Sequence, residues 1–444
     1  MKGRDWISRI LGRKGGEAGD DDLPPNYRWN LVAMATDHTS FTASLAFFSP
    51  SSVLPALFRA LSASEPIIGF ASTVFSLGVY LPQLLYARLV TGKPRKKPYM
   101  LTGASGRVLL PLIALALWSG ISRTPELAIV FLLACIGIFA IGDGLCALSW
   151  LDIMARAIPV SRRGRFVAVS QVAGSLAGVG VGVVLGFIFN SSRLTFPSNY
   201  ALIFTLAAIA MAPSVVALLS VREPPPAATQ GAEKAHRQES WLRAPLSDPM
   251  LVRLIVSRVL LNMGGLATPF YVGHAQDVLH LPTAIIGGFV TAQTIGGIVA
   301  AVALGPVAER RGPLLVIQIA GAVGLVSPLL ALALHLAGEG WLAATYPIVY
   351  AAQGAVQSTW LLGFSNYAIE IAPPEMRPAY LGLSNTVVGF MTLAPTLGGW
   401  LLQMTSYPVL FCLASLLVMA GVIVTMSMPH AGKRDPDSRL SAEE

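Results

Sequence analysis

The sequence predicts an all-α integral membrane protein of twelve transmembrane helices, set out as two pseudo-symmetric six-helix bundles. Three observations carry this. Of the 444 residues, 54% are hydrophobic and only 12% charged, with a mean hydropathy of +0.63, so there is too little polar surface to enclose a water-soluble globule. Apolar runs of about 20 residues recur from end to end. The stretch WLDIMARAIPVSRRGRFVAVSQ at 150–171 returns 214 positions later as FSNYAIEIAPPEMRPAYLGLSN: Phe364 answers Trp150, Pro373 answers Pro159, Arg377 answers Arg163, Tyr380 answers Phe166 and Ser384 answers Ser170.

Bounded by Pro, Gly and charge clusters, the apolar runs lie near 30–54, 66–90, 99–119, 126–156, 165–189, 199–221, 250–278, 283–307, 313–336, 342–371, 379–403 and 407–428. Lipid offers backbone N–H and C=O groups no partner and nothing alternates with a barrel-strand period, so these runs are helices. The Pro-rich, charged stretch after Arg222 reads as a linker. It divides the chain into a tail at 1–26, a first bundle at 27–221, a linker at 222–248, a second bundle at 249–429 and a tail at 430–444. Six spans per half give the halves the same orientation, as parallel repeats about an axis along the membrane normal. In the first tail, Trp6, Ile7, Ile10 and Leu11 share a helical face among basic residues, which suits an amphipathic helix on anionic lipid headgroups.

Charge sets the orientation. If both termini are cytoplasmic, 26 of the 31 Lys and Arg residues fall on the inner side and only Arg59, Arg123 and Arg193 on the outer, the bias of the positive-inside rule. The expected location is therefore the cytoplasmic membrane, as a multi-pass protein. The net charge of +8 belongs to alternate loops, so nucleic acid is not an expected partner. Cys135, Cys146 and Cys412 lie in apolar runs and read as small buried hydrophobes; no metal-ligand spacing and no phosphate-binding Gly-Lys-Ser/Thr loop is present, so no cofactor is expected.

With these features in hand, the chain resembles the major facilitator superfamily from about Tyr27 to Met428. The family's loop Gly-x-x-x-Asp-Arg-x-Gly-Arg-Arg is recognisable as Gly305, Glu309, Arg310 and Gly312; the equivalent loop of the first half keeps Arg95, Lys96 and Lys97 but has Thr91 at the acidic position. Gln353-Gly354 faintly resembles another family motif, and Gly174, Gly178, Gly180, Gly182 and Gly186 suit close packing of helices through small residues. The resemblance implies that the motif loops latch the cytoplasmic side and that substrate binds between the halves, lined by the first and fourth helices of each.

An ionisable residue inside a span needs a reason. Counting about 1.5 Å per residue, Asp37, Arg107, Asp152 and Arg258 share one layer of the cytoplasmic half, either as a structural cluster or as a gate in which Asp37 and Arg258 pair across the halves. Asp143 stands apart, nearer the midplane with no base at its level, which suits it to carry a proton; its repeat partner is Gln357. Ser40, Asn262, Gln293, Gln353 and Asn385 complete the candidate substrate or proton pathway. Arg163 of the basic turn is expected to latch against Glu370 or Glu309, with Arg310 and Arg377 in the same layer.

The function expected is secondary active transport of a small organic solute by alternating access, proton-coupled, with efflux favoured over uptake, by a monomer. An uptake permease or facilitator of the same fold is the alternative, and a non-transporting sensor or lipid-handling protein is the alternative from another class. No metal cluster or paired nucleophile and base points to an enzyme.

Overall fold

The computed structural model describes residues 23–80, 86, 93–225, 248–338, 340–359, 361–373 and 376–429, and among them every regular element is helical. The expected amphipathic tail helix, Thr91 and most of the linker lie outside the described residues. In the first half the α-helices are α1 (Tyr27–Phe47), α2 (Val53–Ala60), α3 (Glu65–Tyr80), α4 (Lys97–Ala104), α5 (Leu109–Trp118), α6 (Pro125–Ala157), α7 (Val160–Asn190) and α8 (Ser198–Ser220). The second half has α9 (Pro249–Asn262), α10 (Tyr271–Asp277), α11 (Ile285–Arg311), α12 (Pro313–Ala337), α13 (Pro347–Ser358), α14 (Asn366–Ile371), α15 (Arg377–Met391), α16 (Ala394–Met404) and α17 (Tyr407–Met426).

Local chemistry explains the boundaries. Pro98, Pro125, Pro249, Pro313 and Pro347 sit in first turns, where a missing N–H costs nothing. Gly312, at φ 84° between α11 and α12, takes a backbone conformation that a side chain would strain. Breaks fall where sequence weakens the helix: Pro50 lies between α1 and α2, and Gly264, Gly265 and Pro269 lie in two 3-10 turns between α9 and α10. A π-helical turn, Leu361–Ser365, joins α13 to α14.

Nine helices among the described residues are long and apolar enough to cross a membrane. Only 22–50% of their most apolar stretches is buried within the protein, so the remaining apolar surface faces lipid. Cys412, expected to be buried, belongs to that exposed surface: hydrophobicity marks a membrane residue without saying whether it meets protein or lipid. The other helical segments fill the places of the first, second and tenth spans, where polar residues, an undescribed continuation and the π turn respectively interrupt the pattern.

In the first half α8 packs on α1 and α5, α1 on α7, and α6 on α3 and α4. In the second α11 packs on α13, and α12 and α9 on α17. The halves touch through α7 against α11 and α3 against α16. These contacts are tight at the end remote from the linker, here termed the far side. A Cβ on Gly287 would stand 2.3 Å from the Gly182 carbonyl oxygen, and one on Gly69 would stand 2.2 Å from that of Pro395. One turn nearer the linker side the fit is looser: a Cβ on Gly178 would meet Thr294 at 3.3 Å. The closest approaches between the halves thus lie on the far side, and the region between the halves on its linker side is here termed the cleft.

Candidate functional site

The far side is closed by side chains as well as backbone. Arg59, just past the first span, donates to Asp277 of the second half, to Glu65 at 2.8 Å and to the Tyr407 hydroxyl at 3.1 Å. The guanidinium lies against Gly273, where a Cβ would be only 2.2 Å from Nη2. Burial works against its charge, but the Tyr407, Glu65 and Asp277 oxygens outweigh that and raise its pKa above the ordinary arginine value. Burial raises the Glu65 carboxyl above its ordinary value despite the opposing Arg59 charge. The expected site had omitted this cluster. Its sequence signal was Arg59 itself, one of three basic residues on the sparsely charged side.

Below it, polar contacts continue across the halves. Thr396 Oγ1 donates to Thr73 Oγ1 at 2.8 Å, and Ser51 Oγ donates to Gln293 Oε1 at 2.9 Å while bonding Ser49 Oγ at 2.9 Å. Gln293 Nε2 approaches Gln357 Oε1 at 3.5 Å, and Gln357 is exposed. Gln293 and Gln357 are therefore brought together at the head of the cleft. Gln353, one turn earlier on α13, has a buried amide whose oxygen and nitrogen bond no described residue. Asn262 donates to the Arg258 carbonyl at 2.7 Å, and its side-chain oxygen accepts from no described residue. Ser40 is half-buried, and the Asn385 side chain lies outside the described residues.

The intramembrane charges are distributed differently from expectation. Asp37 Oδ1 accepts from Arg107 Nη1 at 2.9 Å and from Ser214 Oγ at 2.5 Å, and Arg107 also donates to Ser214. Its guanidinium lies 5.3 Å from the Phe41 ring centroid, and both charged residues are about nineteen-twentieths buried, at 5% and 6% exposure. Asp37 is thus satisfied within the first half and does not pair with Arg258. Arg258 instead donates to Ser384 Oγ at 2.5 Å and lies over Phe364 at 5.4 Å, held by the π turn that carries Phe364. Asp143 does not stand apart: its half-buried carboxylate accepts no hydrogen bond from a described residue but lies within electrostatic reach of Arg107 and Asp37. Counting residues locates a Cα, whereas an arginine carries its charge well away from it.

Asp152 also leaves the expected layer. Since α6 ends at Ala157, Asp152 lies only about 8 Å from the helix end, and it pairs with Arg156 at 2.7 Å. Arg156 reaches on to Glu223 at 2.8 Å and to the Pro224 carbonyl at 3.0 Å. Glu223 accepts from the backbone N–H groups of Lys96 and Lys97 at 2.6 and 3.0 Å. Burial alone would raise the Glu223 carboxyl, but the Lys96 and Lys97 N–H groups and Arg156 prevail and hold it below the usual range. At the linker's other end Asp248 caps α9 through Met250 N at 2.8 Å and accepts from the Tyr380 hydroxyl at 2.6 Å. Each linker end is therefore fastened to a different half.

Arg163 does not meet Glu370. Its Nε donates to the Ile158 carbonyl at 2.9 Å and its Nη2 to that of Ala155, so it closes the last turn of α6, where unpaired carbonyls favour a cation. Glu370, Glu309, Arg310 and Arg377 are exposed on the linker side, and none forms an ion pair with a described residue.

A bundle of helices with this apolar surface, in two halves that meet most closely at one end, is a polytopic membrane protein. The sequence profile of the Major Facilitator Superfamily matches residues 39–391, and the chain belongs to that family. It is a membrane transporter rather than an enzyme. No curated protein matches the sequence significantly. Among solved structures, a point mutant of the nucleoside transporter NupG is similar over 91% of this chain and 100% of its own, with a TM-score of 0.68 and 14% identity. A bacterial homologue of the iron transporter ferroportin, in an inward-facing state, matches over 90% and 98% with a TM-score of 0.67 and 13% identity. A bacterial homologue of the human lysosomal transporter Spinster, inward-facing and occupied, matches over 91% and 95% with a TM-score of 0.60 and 14% identity.

Proposed function

We propose that the protein is a secondary active transporter moving a small organic solute across the cytoplasmic membrane by alternating access, coupled to protons and working in efflux. The carrying observation is that the closest contacts between the halves, Arg59–Asp277 and Gly182 against Gly287, lie together on the far side, which supports a cleft closed there and open on the linker side. The excess of Lys and Arg on the linker side supports placing that side, with both termini, in the cytoplasm, so that the described conformation faces inward. The two six-helix units at 27–221 and 249–429 then rock about the cleft as a monomer.

Substrate binds below the seal, at Gln293 and Gln357, with Asn262 and Gln353 on neighbouring turns. Amides dominate that set, and the buried Asp37 and Arg107 charges are engaged with each other, which favours a neutral or amphipathic solute over a polyanion. Asp143 is the proton carrier: its carboxylate accepts a hydrogen bond from no described residue, yet shares a neighbourhood with the closed Asp37–Arg107–Ser214 triad. Protonation of Asp143 removes a negative charge from beside Arg107 and thereby changes how strongly Arg107 is held by Asp37. The test is a flux assay in proteoliposomes across a panel of solutes. The expected result is solute-dependent flux that a protonophore collapses and whose pH dependence Asp143→Asn abolishes; unchanged pH dependence in that variant removes Asp143 from the mechanism.

A further inference from the structure

The far half of the second bundle holds polar side chains that the transport cleft does not use. His274 is fully buried, with Nδ1 3.0 Å from the Tyr346 hydroxyl and Nε2 3.1 Å from His335 Nδ1. Tyr346 has one hydroxyl proton, and it is spent on the Tyr271 carbonyl oxygen at 2.9 Å. His274 Nδ1 must therefore carry the hydrogen toward Tyr346. In the neutral ring Nε2 then holds a lone pair and accepts from His335 Nδ1–H. This fixes both tautomers and leaves Nε2 of His335 able to take a proton. His335 lines an open cavity of about 400 Å³ on the far side, together with Glu65, Asp277 and Tyr407. Every donor in the chain points from that cavity into the bundle.

Inward of the histidines the polar groups continue. Tyr346, Tyr350, Gln353 and Gln357 follow one another at spacings of four, three and four, one stripe along α13 and its leading turn. The hydroxyls of Tyr271 and Tyr350, residues 1% and 0% exposed, bond no described residue, and neither does the Gln353 amide. The two rings meet edge to face at 6.4 Å, and the hydroxyls of Tyr271, Tyr346 and Tyr350 lie within electrostatic reach of one another. Phe289 stacks on Tyr350 at 4.2 Å and Phe411 on Tyr271 at 5.4 Å, so apolar rings wall the group. Buried hydroxyls and amides without a protein partner are what internal water satisfies, typically through about three hydrogen bonds per molecule.

We propose that Tyr271, Tyr350 and Gln353 bind internal water, and that this water completes a proton relay from His335 at the far-side cavity to Gln357 at the head of the cleft. One proton arrives at His335 Nε2, the His335 Nδ1 proton passes to His274 Nε2, and the His274 Nδ1 proton passes to the Tyr346 oxygen. The Tyr346 hydroxyl, turning from the Tyr271 carbonyl, releases its own proton to the water. The water gives up one of its own protons to solvent beside Gln357, so each group ends with as many protons as it began with, and rotation resets the chain. The groups facing the histidines are Tyr346, Tyr407 and, across the cavity, Asp277 and Glu65 with their Arg59 counter-charge. The relay's part in coupling rests on the transporter reading; the water site and the histidine chain do not.

Two measurements on the full-length protein in nanodiscs test this without any substrate. In radiolytic hydroxyl-radical labelling, Tyr271 and Tyr350 should be modified several-fold more than the equally buried Phe204 and Phe58, because bound water generates the radical in place; equal protection at all four overturns the water site. In protein labelled with ¹⁵N at histidine, acidification should shift the His335 and His274 signals together, and His335→Gln should leave His274 unresponsive. A His274 that does not respond in the unaltered protein, or responds equally in His335→Gln, overturns the relay.

Discussion

Arg59 and Asp277 meet across the two halves of the molecule at the end remote from the linker, and no other ion pair among the described residues joins the halves. Because Asp277 is nearly half exposed, solvent screens the pair and its contribution to closure is modest, about 0.5–1 kcal/mol. Asp277→Asn should therefore raise the population open on the far side by only about threefold. Spin-label distances between α3 and α16 check this, as a growing long-distance component.

Asp37 and Arg107 behave differently because both are buried. Removing one partner leaves an uncompensated charge in the apolar interior, so Asp37→Leu should destabilise the first half by about 3–5 kcal/mol. The double variant Asp37→Leu with Arg107→Met should recover most of that loss. Denaturation in mixed micelles reads the difference; a double variant no better than the single one would mean that the cost does not come from the stranded charge.

Glu223 gives a pH-dependent expectation. Its folded-state pKa lies below the ordinary 4.5, so its stabilising contribution is full above that value and is lost as pH falls through the lower folded value. Glu223→Gln should thus be less stable than the unaltered protein by about 1–2 kcal/mol at neutral pH. The difference should shrink in acid, which thermal melts in a pH series measure.

The Arg163 side chain caps α6, and its loss should cost about 1 kcal/mol of stability through that helix end. Arg163→Gln and Glu370→Gln should act additively in a double-mutant cycle on melting temperature. A coupling energy well above the error of the measurement would show that the two residues meet in another conformation.

The fold was legible because it follows from quantities that a sequence carries directly: run length, the 214-residue repeat and the side on which Lys and Arg collect. The breaks at Pro50 and at Gly264–Pro269 were equally readable, since those residues weaken a helix wherever it packs. Pairing was not. Asp37 met Arg107 rather than Arg258 because the rotation of α1 against α8 brought Ser214 to the same point, and a one-dimensional depth contains no rotation. Asp152 left the supposed layer because it lies only five residues from the end of α6, where Arg156 on the next turn takes its carboxylate. The Arg59 cluster was missed because an outer loop with one arginine looks unremarkable until Gly273 and Asp277 are placed beside it. Gln293 and Gln357 were named separately, and only the close packing of α11 on α13 made them neighbours.

The contact of Gly182 with Gly287 also sets a mechanical ratio. From Gly182 to the linker-side end of α7 near Arg163 is about 28 Å of helix, whereas Gly287 lies only about 3 Å from the start of α11. A tilt of α7 by about 10° at this fulcrum displaces its linker-side end by about 5 Å and its far end at Asn190, about 12 Å away, by about 2 Å. Bulk added near the crossing is thereby amplified: a methyl group on either glycine, which must push the opposed backbone away, would be felt most at residues that it never touches.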